Sequence, residues 1–185
     1  MEKKQLLFYL RVGGILLLIC ALIAVMLAGV HRLTREAIAA HKAEKIENAI
    51  CAIFADSSVT EGSVPAGHKQ VLSAYIVEKN DAIVGHCYTV SANGFGGAVE
   101  LMVGIDTVGK ICGVEVIEHS ETKGIGSHVL TDNYLSRYNG KYGNLALGAD
   151  VDAYTGATVT SKAVLSAVNA ALAAHTAMLE GGTSL

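Results

Sequence analysis

Residues 12–30 read VGGILLLICALIAVMLAGV, nineteen consecutive positions without a charge. As a helix this run is roughly 28 Å long at about 1.5 Å per residue, close to the ~30 Å hydrocarbon core of a bilayer. Phe8 and Tyr9 precede it, where interfacial aromatic side chains gather. A cleaved signal peptide would have a shorter apolar region, about 7–15 residues, followed by an A-x-A-like site. This run is longer and no clean site follows it, so residues 1–30 are expected to be a retained single-pass anchor in contact with membrane lipid. Lys3, Lys4 and Arg11 lie before the run and Arg32, Arg35, Lys42 and Lys45 after it, so basic residues leave its orientation open.

The anchor accounts for an oily composition. Of 185 residues 51% are hydrophobic and 17% charged, and the excess is concentrated in that one run. The remaining chain can be an ordinary globule. The net charge is -3 and there is no basic block, so nucleic acid is not an expected partner. Cys20, Cys51, Cys87 and Cys112 form no CxxC pair and no zinc-like spacing with histidine, and no metal site is expected. A Cys87–Cys112 disulfide and three free thiols outside the anchor are both compatible with the count.

After the anchor, HRLTREAIAAHKAEKIENAICAIF is rich in helix formers. Ile46, Ala49, Ile50, Ile53 and Phe54 make one apolar stripe at helical spacing. A stalk helix over residues 31–55 is expected, docked on the following domain through its far end. Asp56-Ser57-Ser58 should end it, and a loop with Gly62, Pro65 and Gly67 follows. Val71–Val77 and Ala82–Val90 read as a hairpin around Lys79-Asn80-Asp81. Val99–Ile105 and Lys110–Glu118 form a second pair around Asp106-Thr107-Val108-Gly109. The last strand alternates imperfectly, as it would with both faces partly covered. Glu100, Asp106 and Glu115 read as exposed strand or turn charges. Ile125–Tyr138 holds a short helix or two. Val159–Leu179 is the strongest soluble helix, with Ala163, Val164, Ala167, Val168, Ala171, Leu172 and Met178 along one side. The order gives an α+β domain over residues 56–185, a mainly antiparallel sheet with a C-terminal helix.

Four hydroxyls, Thr155, Thr158, Thr160 and Ser161, crowd into TGATVTS at the mouth of that helix. Any one of them could be a cap for an unpaired amide of the first turn. Four together around Gly156 and Ala157 point to anion binding, because a helix N-terminus offers amide donors and positive partial charge to a phosphate. Two glycine-rich stretches follow strands: Ser91-Ala92-Asn93-Gly94-Phe95-Gly96-Gly97 and Glu121-Thr122-Lys123-Gly124-Ile125-Gly126. Each is a turn in isolation, and each could admit the edge of a planar ligand.

DAYTGATVTS resembles the D-x-x-[ST]-G-A-T-x-T-S signature of covalent FMN-binding domains. NGFGGAVELMVGID and GKICGVEVIEHSETKGIG resemble the rest of that domain as it occurs in the RnfG component of Rnf complexes and in the NqrC component of Na+-pumping NADH:quinone reductases. The resemblance runs from about Val71 to Leu179, and three separated segments match in order. It implies FMN joined by a phosphoester to Thr158, attached by a dedicated flavin transferase. The remaining contacts would come from Thr155, Gly156, Ala157, Thr160, Ser161, Phe95, Gly96, Glu121, Thr122, Gly124, Ile125 and Gly126. Phe95 would pack near the ring and Gly124 would allow close approach. Thr155 and Thr160 would hold the backbone through local hydrogen bonds, and Asp152 would orient the loop or assist the transferase. The chain departs from the usual ETPGLG loop at Lys123 and Ile125, exchanging the fixed φ of proline for a positive charge.

The resemblance further implies an extracytoplasmic domain on the inner membrane. The chain would be a redox relay beside the A, B, C, D and E components of an Rnf complex, passing electrons between reduced ferredoxin and NAD+ while Na+ or H+ moves. The short segment between anchor and domain favours the RnfG type over the NqrC type. No GxGxxG opens a βαβ unit, so the chain itself is not expected to bind NAD or to be a complete enzyme. A stand-alone anchored flavoprotein and a flavin-free binding module are the competing readings. Among seven histidines only His119, just before ETKGIG, is singled out, as a strand-end residue or a proton carrier.

Overall fold

The computed structural model describes residues 3–180. The extreme ends of the expected anchor and domain, 1–2 and 181–185, lie outside the described residues, as do the side chains of 3–8 and 10, including Lys3, Lys4 and Phe8. The chain divides into two compact units, Met1–Glu44 and Lys45–Leu185.

One helix, α1, runs over Lys3–Ile53, so the expected anchor and stalk are a single element. Within the first unit every residue from 11 to 30 is exposed. A continuous sleeve of exposed Leu, Ile and Val is not tolerated in water, and the helix is long and apolar enough to cross a membrane.

In the second unit α1 ends where its chemistry changes. Asp56 adopts a left-handed conformation (φ 58°), the Ser57 hydroxyl donates to the Phe54 carbonyl at 2.8 Å, and Lys79 Nζ donates to the Ala55 carbonyl at 2.9 Å. Five strands follow: β1 Ser58–Gly62, β2 Val71–Lys79, β3 Ala82–Asn93, β4 Ala98–Asp106 and β5 Ile111–His119. They form one antiparallel meander in the order β1-β2-β3-β4-β5. The β2–β3 turn is a two-residue connection with Asn80 and Asp81 both at positive φ (54° and 60°), the geometry that matches strand twist. At the β4–β5 turn Asp106 Oδ1 accepts from the amides of Val108 and Lys110 at 2.9 and 2.8 Å, so its charge serves the turn.

β1 lies where a loop is expected. Its residues are exposed or half-buried, so it carries no apolar alternation to read. It exists because its backbone pairs with β2, from Ser58 opposite Glu78 to Gly62 opposite Ala74.

Both faces of the sheet are covered. Val99, Leu101, Val103 and Ile105 of β4 pack with Ala163, Val164, Ala167, Val168 and Ala171 of α3, Thr158–Glu180. Met102, Val77, Cys87 and Ile117 face the opposite way, against Ala49, Ile50, Ile53 and Phe54 from the end of α1. This explains the continuous burial along β4 and the imperfect alternation of β5. Glu100 and Glu115 are half-buried rather than exposed. Burial, and then Asp132, push the Glu115 pKa up. Gly126–Leu130 and Ser136–Tyr138 are 3-10 turns flanking a short helix α2, Asp132–Leu135. All four cysteines are free. Cys87 is buried, and burial, with Cys112 adding to it, pushes its thiol up to about 12, so it is a packing residue.

Candidate functional site

Three loops converge at the start of α3. A cavity of about 400 Å³ is lined by Phe95, by Glu121, Thr122, Ile125 and Gly126, and by Gly156, Ala157, Thr158, Val159 and Thr160. The stretches lie far apart in the chain, and only the meander brings their strand ends to one side. The first loop leaves β3 at Asn93 and closes on itself, Gly94 N–H to Gly97 O at 2.8 Å. The second leaves β5 at His119 and curls into the Gly126 turn, with Gly124 N–H donating to Ser127 Oγ at 3.0 Å.

The third loop is a turn held by Ser161. The Ala157 amide donates to the Tyr154 carbonyl at 3.0 Å with Gly156 at φ 85°, a type II arrangement that favours glycine. The Ser161 hydroxyl accepts from the Tyr154 amide at 3.0 Å and donates to the Ala157 carbonyl at 3.0 Å. The bonds that fix this turn therefore run through Ser161, where Thr155 and Thr160 were expected to supply them. The turn is backed by aromatic side chains that sequence reasoning missed. His128 stacks on Tyr154 at 5.5 Å and 12°, and Tyr134 meets Tyr154 edge-on and donates its hydroxyl to the Asp152 carbonyl at 2.9 Å. Arg137 lies 5.1 Å over the Tyr134 ring. The tyrosines in this part of the chain were a visible signal, but nothing local assigned them to the TGAT turn.

The expected site residues separate into two groups. Nine of them line the cavity: Thr158, Gly156, Ala157, Thr160, Phe95, Glu121, Thr122, Ile125 and Gly126. Thr155, Ser161, Gly96 and Gly124 do not. A Cβ on Gly96 would press on the Ser120 carbonyl, so that glycine serves loop packing. Gly124 has φ 83° and open space around it, so it serves the turn. His119 is exposed, and its Nδ1 accepts the Glu121 amide at 3.2 Å.

The cavity is apolar at its rim and polar at one end. Phe95 is 77% exposed, Ile125 56% and Val159 50%, a grouping of bare apolar side chains around one opening. Thr158 is exposed and begins α3, whereas Thr160 is 1% exposed. No acidic residue occupies the first turn of α3, so the positive end of its dipole is not offset there. Among the described residues Glu121 is the only charged one lining the cavity, and it is 6% exposed.

A second constellation lies toward the other end of α3. His86 and His175 are buried with ring centroids 5.2 Å apart, and Tyr88 Oη lies 3.2 Å from His175 Nδ1. It belongs to the packing of α3 on β3, far along the helix from Thr158. Among the described residues no group of three or more His, Cys, Asp and Glu side chains could hold a metal ion.

Residues 94–173 match the FMN-binding domain. The chain is 28% identical over 171 residues to the G component of the ion-translocating oxidoreductase complex of Haemophilus influenzae, covering 82% of this chain and 81% of the relative. It is 28% identical over 160 residues to the G component of the proton-translocating ferredoxin:NAD(+) oxidoreductase complex of Clostridium ljungdahlii, covering 83% and 84%. The crystal structure of Shewanella oneidensis NqrC shares the fold, with a TM-score of 0.52 at 23% identity over 68% of this chain and 70% of that one. The match to the FMN-binding domain thus runs from the first glycine loop through most of the C-terminal helix.

Proposed function

We propose that this chain is the G-type, electron-carrying component of a membrane ion-translocating ferredoxin:NAD+ oxidoreductase complex of the Rnf kind, with FMN joined through its phosphate to Thr158. The observation that carries the reading is the convergence of three loops on a cavity whose polar end is the first turn of α3. The residues fit the cofactor. The helix end suits a phosphate, the turn at Gly156 and Ala157 presents little bulk, and Phe95, Ile125 and Val159 offer apolar surface to a planar ring. The relatives named as G components of such complexes support the assembly, and the apolar helix supports a membrane location.

Bound FMN would supply reversible uptake and release of electrons. The chain's own part is to hold it. The first-turn backbone of α3 neutralises the phosphate, Thr158 offers an accessible hydroxyl for the ester, and Ser161 keeps the turn in one conformation. A phosphate linkage leaves the ring untouched, so the groups around the cavity are free to set its properties. The proposal includes three parts of the chain: a single-pass anchor over residues 1–30, a stalk over 31–55 and the FMN domain over 56–185 on the extracytoplasmic side of the inner membrane. A flavin transferase and the Rnf components A to E are the expected partners.

The test is flavin fluorescence on a denaturing gel with peptide mass spectrometry, using the chain co-expressed with a flavin transferase. Thr158→Ala should lose the covalent flavin, while Thr155→Ala and Thr160→Ala keep at least part of it. Thr158 is favoured over Thr160 because the Thr160 side chain is buried, and over Thr155 because Thr155 does not line the cavity. A Thr158→Ala chain that carries FMN through denaturation overturns the assignment.

A further inference from the structure

The glycines of the two strand-end loops look suited to admit a ligand, but two of them admit a side chain. A Cβ on Gly94 would collide with Oε1 of Glu121, and a Cβ on Gly126 would collide with Oε2. The carboxylate thus fills the space left by both glycines, between loops that come from different strands. Its Oε1 accepts the Phe95 amide at 2.7 Å, and the Glu121 amide donates to His119 Nδ1 at 3.2 Å. Gly96 rests against the Ser120 carbonyl beside it. Glu121 is 6% exposed and lines the same cavity as Thr158. Burying a carboxylate is costly, and an apolar or amide side chain would fill the space without that cost. A charge-assisted bond to a backbone amide offsets part of it and fixes the backbone that carries Phe95.

We propose that Glu121 is a positioning residue of the FMN cavity: its carboxylate latches the Phe95 loop to the Gly126 loop and sets a fixed negative charge in the cavity wall. The inference rests on the proposed binding of FMN in that cavity. Electron uptake adds negative charge there, and a nearby carboxylate opposes it. Latch and charge act separately. Glutamine retains an acceptor for the Phe95 amide and removes the charge. Aspartate retains the charge and draws the acceptor back by one carbon.

The experiment uses the full chain, loaded by a flavin transferase, in Glu121→Gln, Glu121→Asp and Glu121→Ala forms. The readouts are flavin midpoint potential and hydrogen exchange at the Phe95 amide. Glu121→Gln should shift the potential positive and cost Phe95 less protection than Glu121→Ala does, because a neutral acceptor remains. Glu121→Asp should accelerate Phe95 exchange at least tenfold, as expected for loss of a hydrogen bond to a charged group worth about 1.5–3 kcal/mol. Glu121→Ala should show both effects. A Glu121→Gln potential equal to or more negative than wild type overturns the proposal, as does wild-type Phe95 exchange in Glu121→Ala. Should Glu121→Ala fail to fold, the Gln and Asp forms decide alone. A wild-type chain that takes up no flavin refutes the proposed function instead, and Phe95 exchange in that flavin-free chain still judges the latch.

Discussion

The four hydroxyls of TGATVTS have four different environments. Thr155 is exposed beyond the cavity, Thr158 is exposed at its polar end, Thr160 is buried in its wall, and Ser161 is buried behind it with two backbone bonds. Their number alone could not assign these roles, because each depends on which way the first turn of α3 faces the sheet. Histidines give the residue scale a second consequence. Burial pulls the His175 pKa down to about 4, with His86 lowering it further and Asp106 acting the other way. Burial also lowers that of His86. A folded-state pKa below the unfolded value of about 6.5 favours the neutral form. The stability from keeping these rings neutral is fully present above about pH 6.5 and is lost as pH falls toward 4. The His175 contribution is of order 3 kcal/mol. The urea midpoint of the chain in detergent should therefore drop between pH 6.5 and 4. His175→Gln, which keeps a hydrogen-bonding group near Tyr88, should flatten that slope, and an unchanged slope in the variant would remove His175 from the account.

At the scale of elements, the hairpins were legible because short runs rich in Val, Ile and Leu are separated by turns that carry Asn-Asp or Asp with Gly. β1 was not, since Ser58–Gly62 buries little and owes its form to hydrogen bonds with β2. The apolar stripe at the end of α1 was legible, but its seat was not. Ile53 lies over Gly104 and Gly113, on adjacent strands, where a Cβ would come within 2.5 and 3.0 Å of it. These glycines let a helix lie close to the sheet. Gly104→Val should destabilise the domain by about 1–3 kcal/mol through overpacking. Adding Ile53→Ala should recover part of that loss in the same urea titration. Simple additivity of the two changes would mean that they do not share the contact.

For the whole molecule, a sleeve of exposed apolar side chains from 12 to 30 and an ordinary two-faced core in the second unit call for different solvents. The C-terminal helix passes the same length-and-composition test for spanning, yet one side of it is buried against the sheet, so composition alone would miscount spans. In cells stripped of any outer wall, added protease should digest the second unit while a fragment containing residues 12–30 stays with the membrane. Complete protection of the domain in intact cells, with digestion after lysis, would reverse the proposed orientation.

The sequence by itself determined what depends on short range: a bilayer-length apolar run, two hairpins, a C-terminal helix and the TGAT turn at its mouth. Each rests on periodicity, turn chemistry or backbone conformation within a few residues. Only the tertiary structure decided which loops meet at that turn, that Ser161 holds it, and that the space above Gly94 and Gly126 belongs to Glu121. Those outcomes depend on strand register and on the face that each helix turns to the sheet. Register and facing are settled by packing between segments far apart in the chain, and no local pattern encodes a collision between a glycine and a carboxylate five to twenty-seven residues away.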